Sequence, residues 1–182
     1  MSRLVIGHSW VRRLSELCIC DPQEYKFVCK GGATFASITE DVDRYFGRLG
    51  SRPKPEVIFV FLGSNDLDRL GGTGEVSQVT ASCSAFCAHL RGWSPASRLV
   101  IAQVEDRFAW NHLENNDALL SDFKAKSNKF NKWLNKWRGK DGVFIMKGQR
   151  GFSSASLYAR DGVHLNLDDN LKLAERLKDY RY

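Results

Sequence analysis

Short apolar runs alternate along the chain with longer segments in which apolar residues recur every three or four positions. The short runs predict strands, and the amphipathic segments between them predict helices. The predicted strands are Leu4–Ile6, Tyr25–Cys29, Val57–Leu62, Leu99–Ala102 and Gly142–Met146. The predicted helices are Ser9–Cys18, Phe35–Leu49, Val76–Leu90, Leu119–Trp137 and Leu167–Tyr180. Ser9 is placed to cap the first of these helices.

The third apolar run, Val57–Leu62, has apolar residues at both odd and even positions. This pattern is typical of a central strand in a parallel sheet that helices cover on both sides. Five strands that alternate with helices predict a single doubly wound α/β domain over residues 1–182. Functional groups in such sheets gather at the carboxyl ends of the strands, so the residues that follow each strand are the first candidates for a site.

The length and the net charge of the chain exclude few classes of protein. The 182 residues can bury a core without help from disulfides or metals. The chain carries 27 Lys and Arg residues against 21 Asp and Glu residues, a formal net charge of +6. This excess permits association with phosphate-rich partners but does not require it.

The five cysteines do not have the spacing of a secreted disulfide framework, because their number is odd and their intervals are irregular. Cys83 and Cys87 share a predicted helix face, but no second Cys or His pair stands at ligand spacing, so we expect buried thiols rather than a zinc site. We expect no cofactor and no metal.

The longest apolar run is about a third of the length that a membrane span requires, and the N-terminus lacks the apolar core and cleavage site of a signal peptide. These features predict a reducing, intracellular setting, in the cytoplasm or nucleus. The first strand begins almost at Met1, which suggests a domain cut from a longer polypeptide, although a natural short protein would look the same.

Four groups of polar and small residues follow predicted strands. Gly7-His8-Ser9 follows the first strand, Gly31-Gly32-Ala33-Thr34 the second, and Gly63-Ser64-Asn65-Asp66 the third. The segment after the fifth strand contains Asp161-Gly162-Val163-His164. Because each group lies just past a strand, all four are expected at one edge of the sheet.

These residue types fit acyl transfer. The hydroxyl of Ser9 needs a neighbouring base to become a nucleophile, and His164 is the candidate base. Asp161 could fold back to orient the imidazole. The backbone N–H groups of Ser9 and Gly32, with the side-chain amide of Asn65, would stabilise the negative oxygen of the tetrahedral intermediate.

In order and spacing, the four groups resemble the sequence blocks of the SGNH (GDSL-like) hydrolase superfamily, over nearly the whole chain. The blocks are a serine after strand one, a glycine after strand two, Gly-x-Asn-Asp after strand three, and Asp-x-x-His near the C-terminus. The resemblance implies a flavodoxin-like three-layer sandwich with strand order 2-1-3-4-5. It also implies hydrolysis of a carboxylic ester, thioester or acetyl group without a metal or cofactor.

The opening Gly-His-Ser-Trp, followed by Val11-Arg12-Arg13-Leu14, is similar to the hydrolase domains of some retrotransposons of the Ngaro/DIRS type, and a related esterase domain occurs in certain LINE elements. Two positions depart from the superfamily pattern. His8 stands where Asp is usual, and Trp10 stands where an aliphatic residue is common. His8 could steer a substrate anion or compete for the Ser9 hydroxyl, so both departures bear on the catalytic rate more than on the fold.

The segment from Lys124 to Arg150 holds nine basic residues and the single acid Asp141. Its helical part, Lys124–Arg138, is interpreted as a helix whose aromatic and leucine side chains face the core and whose basic side chains cover the outer face. That face could be an ordinary solvated surface or a patch for weak association with nucleic acid or an anionic membrane. The residues predicted to face the core are Phe123, Phe130, Leu134 and Trp137.

Three functions therefore remain open. The first is an active hydrolase that acts on a small ester or acylated substrate. The second is a catalytically weak or inactive module of the same fold that associates with nucleic acid. The third is an acyltransferase with the same triad, which forms the same acyl-enzyme. The oligomeric state cannot be predicted from this sequence.

Several residues also have simpler interpretations. Asn65 and Asp66 could form an ordinary turn, with Asp66 bonding loop backbone. Gly71–Gly74 lacks the Lys-Ser/Thr of a phosphate-binding loop and is interpreted as a loop near the rim of the pocket. His89 and His112 have no predicted partner and are assigned to the surface.

Overall fold

The structure is a computed structural model that describes residues 1–17, 20–71, 74–105, 107, 117–148 and 164–179. Its strands are β1 (Arg3–Gly7), β2 (Tyr25–Cys29), β3 (Val57–Phe61), β4 (Arg98–Ala102) and β5 (Val143–Met146). Its α-helices are α1 (Ser9–Glu16), α2 (Thr39–Leu49), α3 (Ser64–Arg69), α4 (Val76–Trp93), α5 (Asp117–Trp137) and α6 (Leu167–Asp179). A 3₁₀ turn at Lys140–Gly142 leads into β5.

The five strands form one parallel sheet in the order β2-β1-β3-β4-β5, which confirms the predicted order. The chain therefore places β1 and β3 side by side in the middle, with their carboxyl ends in register at Gly7 and Phe61. All five residues of β3 are buried, as its continuous apolar run predicted.

The sheet separates two hydrophobic cores. Alternate strand residues such as Ile6 and Ile58 face the core that α2, α3, α4 and α5 cover. Their neighbours, such as Val5 and Phe59, face the core that α1 and α6 cover. These two layers of helices and the sheet between them form the predicted three-layer α/β/α sandwich.

Several element boundaries differ from the sequence prediction. Helix α2 begins at Thr39 rather than Phe35, because Thr34 and Ser37 hold a turn through reciprocal hydrogen bonds from each backbone N–H to the other hydroxyl. Strand β5 begins one residue later than predicted, because Gly142 ends the 3₁₀ turn. The short helix α3 was not predicted at all.

The turn from β1 into α1 requires a glycine. A Cβ atom at Gly7 would lie 2.5 Å from Val11 Cγ2 and 2.8 Å from the carbonyl oxygen of Phe61. The absence of a side chain therefore lets α1 begin directly against the end of the sheet, which fixes the position of the two residues that follow.

Candidate active site

Ser9 is the first residue of α1, immediately beyond the end of β1. The residue that caps this helix is His8, whose side chain accepts a hydrogen bond from the backbone N–H of Trp10. The prediction that Ser9 is the cap was therefore wrong. Since the cap is supplied by its neighbour, the Ser9 hydroxyl is left for other contacts at the helix N-terminus.

His164 meets Ser9 in space although 155 positions separate them in the chain. Its Nε2 atom lies 2.9 Å from Ser9 Oγ, within hydrogen-bond distance. His164 directly precedes the buried Leu165 and the start of α6, which packs on the same face of the sheet as α1. Asp161, the predicted third member of the triad, lies outside the described residues.

Asn65 lies in α3 and lines the same cleft as Ser9. Its Nδ2 atom donates a hydrogen bond of 2.9 Å to the carbonyl oxygen of Ala33. An amide nitrogen carries two hydrogens, so this bond fixes the side chain while the second hydrogen can serve another acceptor.

Gly32 lies in the turn after β2, is exposed, and has a positive φ of 67°. Its carbonyl oxygen accepts a hydrogen bond from Arg69 Nη2 at 3.2 Å. Among the described residues that line the cleft around Ser9, Gly32 is absent. The structure therefore places Ser9 and Asn65 in one cleft and His164 beside Ser9, and it places Gly32 outside the residues that line this cleft.

Asp66 has the structural role that the sequence predicted. Its carboxylate accepts a hydrogen bond from the backbone N–H of Phe35 at 3.1 Å, which ties α3 to the turn after β2. Burial raises the pKa of Asp66 to about 6, although backbone N–H groups, that of Phe35 first, act in the opposite direction.

The cleft around Ser9 has an empty volume of about 490 Å³, counted out to open solvent. Apolar residues at the ends of β3 and β4 form part of its wall. Its polar wall includes His8, Ser64, Asn65 and Arg107.

Arg107 was not predicted as a site residue. Its side chain is only 8% exposed; Nη1 pairs with Asp68 at 2.7 Å, and Nη2 donates to Ser64 Oγ at 2.9 Å. The guanidinium also lies 4.5 Å from the ring centroid of Phe123. The one pattern that could have identified Arg107 is its position shortly after β4, at the edge of the sheet where the other candidates gather.

His8 is buried beside the nucleophile and lines the cleft. Burial, and then the positive charges of Arg107 and His164, lower the pKa of His8 to about 3. A neutral imidazole carries no charge with which to attract an anion, so the structure does not favour the suggestion that His8 steers a substrate anion. The ring that lies against the Ser9 hydroxyl is His164.

Outside the cleft, His89 lies at the surface as predicted, with its side chain 36% exposed, and its Nε2 atom lies 2.6 Å from Asp43 Oδ1. One prediction for the basic helix was wrong. Lys126 does not belong to the exposed basic face of α5, because it is buried and bonds to Asp122 and to the carbonyl oxygen of Gly71. Lys124, Lys129, Lys132, Lys136 and Arg138 are exposed as predicted. His112 lies outside the described residues.

The remaining predictions for α5 and the cysteines agree with the structure. Phe123, Phe130 and Leu134 are buried, and Trp137 is partly buried against the same core. Cys83 and Cys87 are free, buried thiols.

Within the described ranges, no group of three or more His, Cys, Asp or Glu side chains is placed to hold a metal ion. In the same ranges, no helix combines the length and apolar character that a membrane crossing requires.

Comparison with known proteins identifies the fold. No protein-family model matches the chain, and no curated protein matches it in sequence. Among solved structures, a GDSL-like lipase from Bacteroides thetaiotaomicron is similar with a TM-score of 0.72 and 9% identity, over 97% of this chain and 85% of that one. An acetyl esterase variant with an acetate ion has a TM-score of 0.63 and 15% identity, over 97% and 94% of the two chains.

A carbohydrate esterase of family 3 from Talaromyces cellulolyticus is also similar, with a TM-score of 0.61 and 15% identity over 97% of this chain and 94% of that chain. At these identities the likeness establishes the architecture. The chain thus has the fold of the GDSL-like hydrolases, which confirms at the level of fold the resemblance to the SGNH superfamily. The retrotransposon resemblance stays a prediction.

Proposed function

We infer that this protein is a serine hydrolase that cleaves carboxylic esters of small acyl groups, with Ser9 as nucleophile and His164 as general base. The observation that carries this proposal is the 2.9 Å distance between Ser9 Oγ and His164 Nε2. A hydroxyl and an imidazole at this distance form the unit that activates a serine. The polar cleft that Ser9 lines gives an ester access to its hydroxyl.

In the first half of the reaction, Ser9 Oγ attacks the carbonyl carbon of the ester while its proton passes to His164 Nε2. The tetrahedral intermediate then collapses, the C–O bond to the alcohol breaks, and the alcohol leaves with the proton from His164. The acyl group remains on Ser9 as an ester.

In the second half, water takes the place of the alcohol. His164 accepts a proton from the water as its oxygen attacks the acyl carbon. The acid leaves, and the proton returns to Ser9 Oγ. During each attack Nε2 must be unprotonated, so the proton of the neutral ring lies on Nδ1, where we assign the carboxylate of Asp161 as acceptor.

The negative oxygen of each intermediate needs fixed donors. We assign this role to the Asn65 side-chain amide and to the backbone N–H groups of Ser9 and Gly32. The hydrogen bond from Asn65 to Ala33 supports the assignment, because it fixes the amide before the substrate binds. The position of Ser9 as first residue of α1 also favours negative charge, because the positive end of the helix dipole lies there.

The likeness to an acetyl esterase supports a short acyl group such as acetyl as the one to test first, and the likeness to a GDSL-like lipase is the reason to test long chains beside it. Hydrolysis of p-nitrophenyl esters from acetyl to long-chain acyl, by wild type and Ser9→Ala, tests both parts. We expect kcat/KM to be greatest for the shortest acyl groups and to fall at least about a thousandfold in Ser9→Ala. Hydrolysis that is equal in the two proteins would contradict the proposal.

A further inference from the structure

His8 stands between β1 and α1, next to the proposed nucleophile, and lines the cleft although it is only 9% exposed. The proposed mechanism gives it no part. Because a buried ring in this position is costly to keep without hydrogen bonds, the state of its two nitrogens decides what it can do.

The cap of α1 determines the tautomer of His8. The backbone N–H of Trp10 donates to Nδ1 at 3.4 Å, so Nδ1 is an acceptor and carries no proton. A neutral imidazole has one N–H group, which must then be on Nε2. The Trp10 ring packs against His8 edge-on, with centroids 5.7 Å apart, and so limits rotation of the imidazole.

The surroundings keep the ring neutral. Burial opposes protonation most strongly, and the nearby charges of Arg107 and His164 add to that effect, so the pKa of His8 falls to about 3. At neutral pH the side chain is therefore a donor at Nε2 without a positive charge. Among the described residues, the hydrogen bond that the His8 ring makes is the one at Nδ1, and none is made by Nε2.

We propose that His8 is a further catalytic residue, which donates a hydrogen bond from Nε2 to an oxygen atom of the ester group that Ser9 attacks. The proposal rests on the hydrolase function assigned above. It follows from three facts: the ring lines the cleft beside Ser9, the helix cap occupies Nδ1, and Nε2 is the nitrogen left for a ligand. A neutral donor leaves the charge on His164 undisturbed while it accepts the Ser9 proton.

Two substitutions separate the cap from the donor. An asparagine places an amide oxygen near the position of Nδ1 but ends before that of Nε2, so His8→Asn keeps the cap and loses the donor. A glutamine reaches the position of Nε2, so His8→Gln keeps a donor but loses the cap atom. His89→Asn is the matched control, because His89 pairs with Asp43 and does not line the cleft.

The measurement is kcat/KM for p-nitrophenyl acetate, with the melting temperature of each variant. We expect kcat/KM to fall about tenfold in His8→Asn, with most of the loss in kcat. The melting temperature of this variant should equal that of the wild type. His8→Gln should recover several-fold over His8→Asn while melting about 2–4 °C lower. His89→Asn should hydrolyse the ester like the wild type.

The NMR spectrum of ¹⁵N-labelled histidine gives a test that does not depend on turnover. We expect the His8 ring to be protonated on Nε2 alone from pH 8 to pH 5. A ring protonated on Nδ1, or one that titrates in this range, would overturn the proposal even if a variant failed to fold. Equal activity in His8→Asn and wild type, or equal losses in both His8 variants, would also overturn it.

Failure of the underlying hydrolase function can be recognised separately. A folded wild type that neither hydrolyses esters nor reacts with a fluorophosphonate at Ser9 would overturn both proposals. If the wild type hydrolyses esters and reacts with the fluorophosphonate, and His8→Asn has the same kcat/KM, only the role of His8 would be overturned.

Discussion

Three side chains in and beside the cleft are each held by a hydrogen bond to the protein backbone. His8 accepts from Trp10, Asn65 donates to Ala33, and Asp66 accepts from Phe35. Backbone partners are rigid, so each side chain is oriented before a substrate arrives. Donors that stabilise a transition state must be in position before the reaction, because they have no time to reorganise during it.

Asn65→Ala tests the proposed oxyanion donor. Loss of one such donor should lower kcat about a hundred- to a thousandfold with a small change in KM, because the charge it stabilises exists only in the transition state. Loss of the bond to Ala33 should lower the free energy of unfolding by only about 1 kcal/mol. Steady-state kinetics and urea unfolding measure the two effects.

Asn135→Ala serves as the control for Asn65→Ala, because Asn135 accepts a hydrogen bond from Gln103 on the exposed side of α5. It should retain the kcat of the wild type. A kcat for Asn65→Ala within threefold of the wild type would argue against a role for its amide in the reaction.

Asp66 gives the free energy of unfolding a pH dependence. Its pKa is about 6 in the folded protein against a reference of 3.8. Between these values the native state binds more protons than the unfolded state, so the free energy of unfolding falls as pH rises from about 4 to 6. Asp66→Asn cannot ionise, and its stability relative to wild type should therefore increase by about 1–3 kcal/mol between pH 4 and pH 7.

Urea unfolding of wild type and Asp66→Asn at both pH values measures this difference. The amide oxygen that the substitution introduces can still accept from the Phe35 N–H, so the comparison isolates the charge. A stability difference between the two proteins that stays constant with pH would show that Asp66 ionises in the folded state as it does in the unfolded one.

At the scale of secondary structure, the turn from β1 into α1 has no space for a side chain at Gly7. We expect Gly7→Ala to lower the free energy of unfolding by about 1–3 kcal/mol, because its Cβ would overlap Val11 and the Phe61 carbonyl. Ester hydrolysis should fall as well, because Ser9 is displaced with the helix. Thermal or urea unfolding and kcat/KM report the two effects.

Gly47→Ala, inside α2, is the matched control for Gly7→Ala. A Cβ at Gly47 meets no atom within 4 Å, and alanine favours helix, so this variant should be about 0.5–1 kcal/mol more stable than the wild type. Equal stabilities for Gly7→Ala and wild type would contradict the packing described for the turn.

For the exposed basic face of α5, which does not include Lys126, weak association with nucleic acid stays a prediction beside that of an ordinary solvated surface, and a binding experiment distinguishes the two. We expect weak binding to an oligonucleotide that decreases steeply as salt rises, since counterions are released from the phosphates. Replacement of Lys129, Lys132 and Lys136 by glutamine should weaken binding and flatten the salt dependence. Fluorescence anisotropy measures the binding, and equal affinity in the triple variant and the wild type would exclude this face as the binding site.

At the scale of the whole molecule, much of the architecture could be predicted because it depends on long repeated patterns. The continuous apolar run of β3 and the alternation of strands with helices indicate a covered parallel sheet. The resemblance at Ser9, Asn65 and His164 then supplied the strand order. The structure places Ser9 and Asn65 in one cleft and His164 at hydrogen-bond distance from Ser9, as the rule for strand ends implies.

The parts that could not be predicted depend on single contacts between distant segments. Arg107 enters the cleft through its pair with Asp68, and Lys126 turns inward to Asp122 and Gly71. Each appears in the sequence as an ordinary charged residue, because Asp68 and Gly71, the partners from distant segments, have no fixed spacing from it. The pair of Lys126 with Asp122 is at i,i+4, a spacing that is equally typical of a solvated helix surface. His8 was noticed as unusual, but only the bond from Trp10 indicates that it caps the helix.

Reaction with a fluorophosphonate tests most directly whether Ser9 is a nucleophile that His164 activates. Intact-protein and peptide mass spectrometry should show one phosphonyl group on Ser9 in the wild type, none in Ser9→Ala, and much slower labelling in His164→Ala. A folded wild type that stays unlabelled, or labelling that persists equally in Ser9→Ala, would contradict the account.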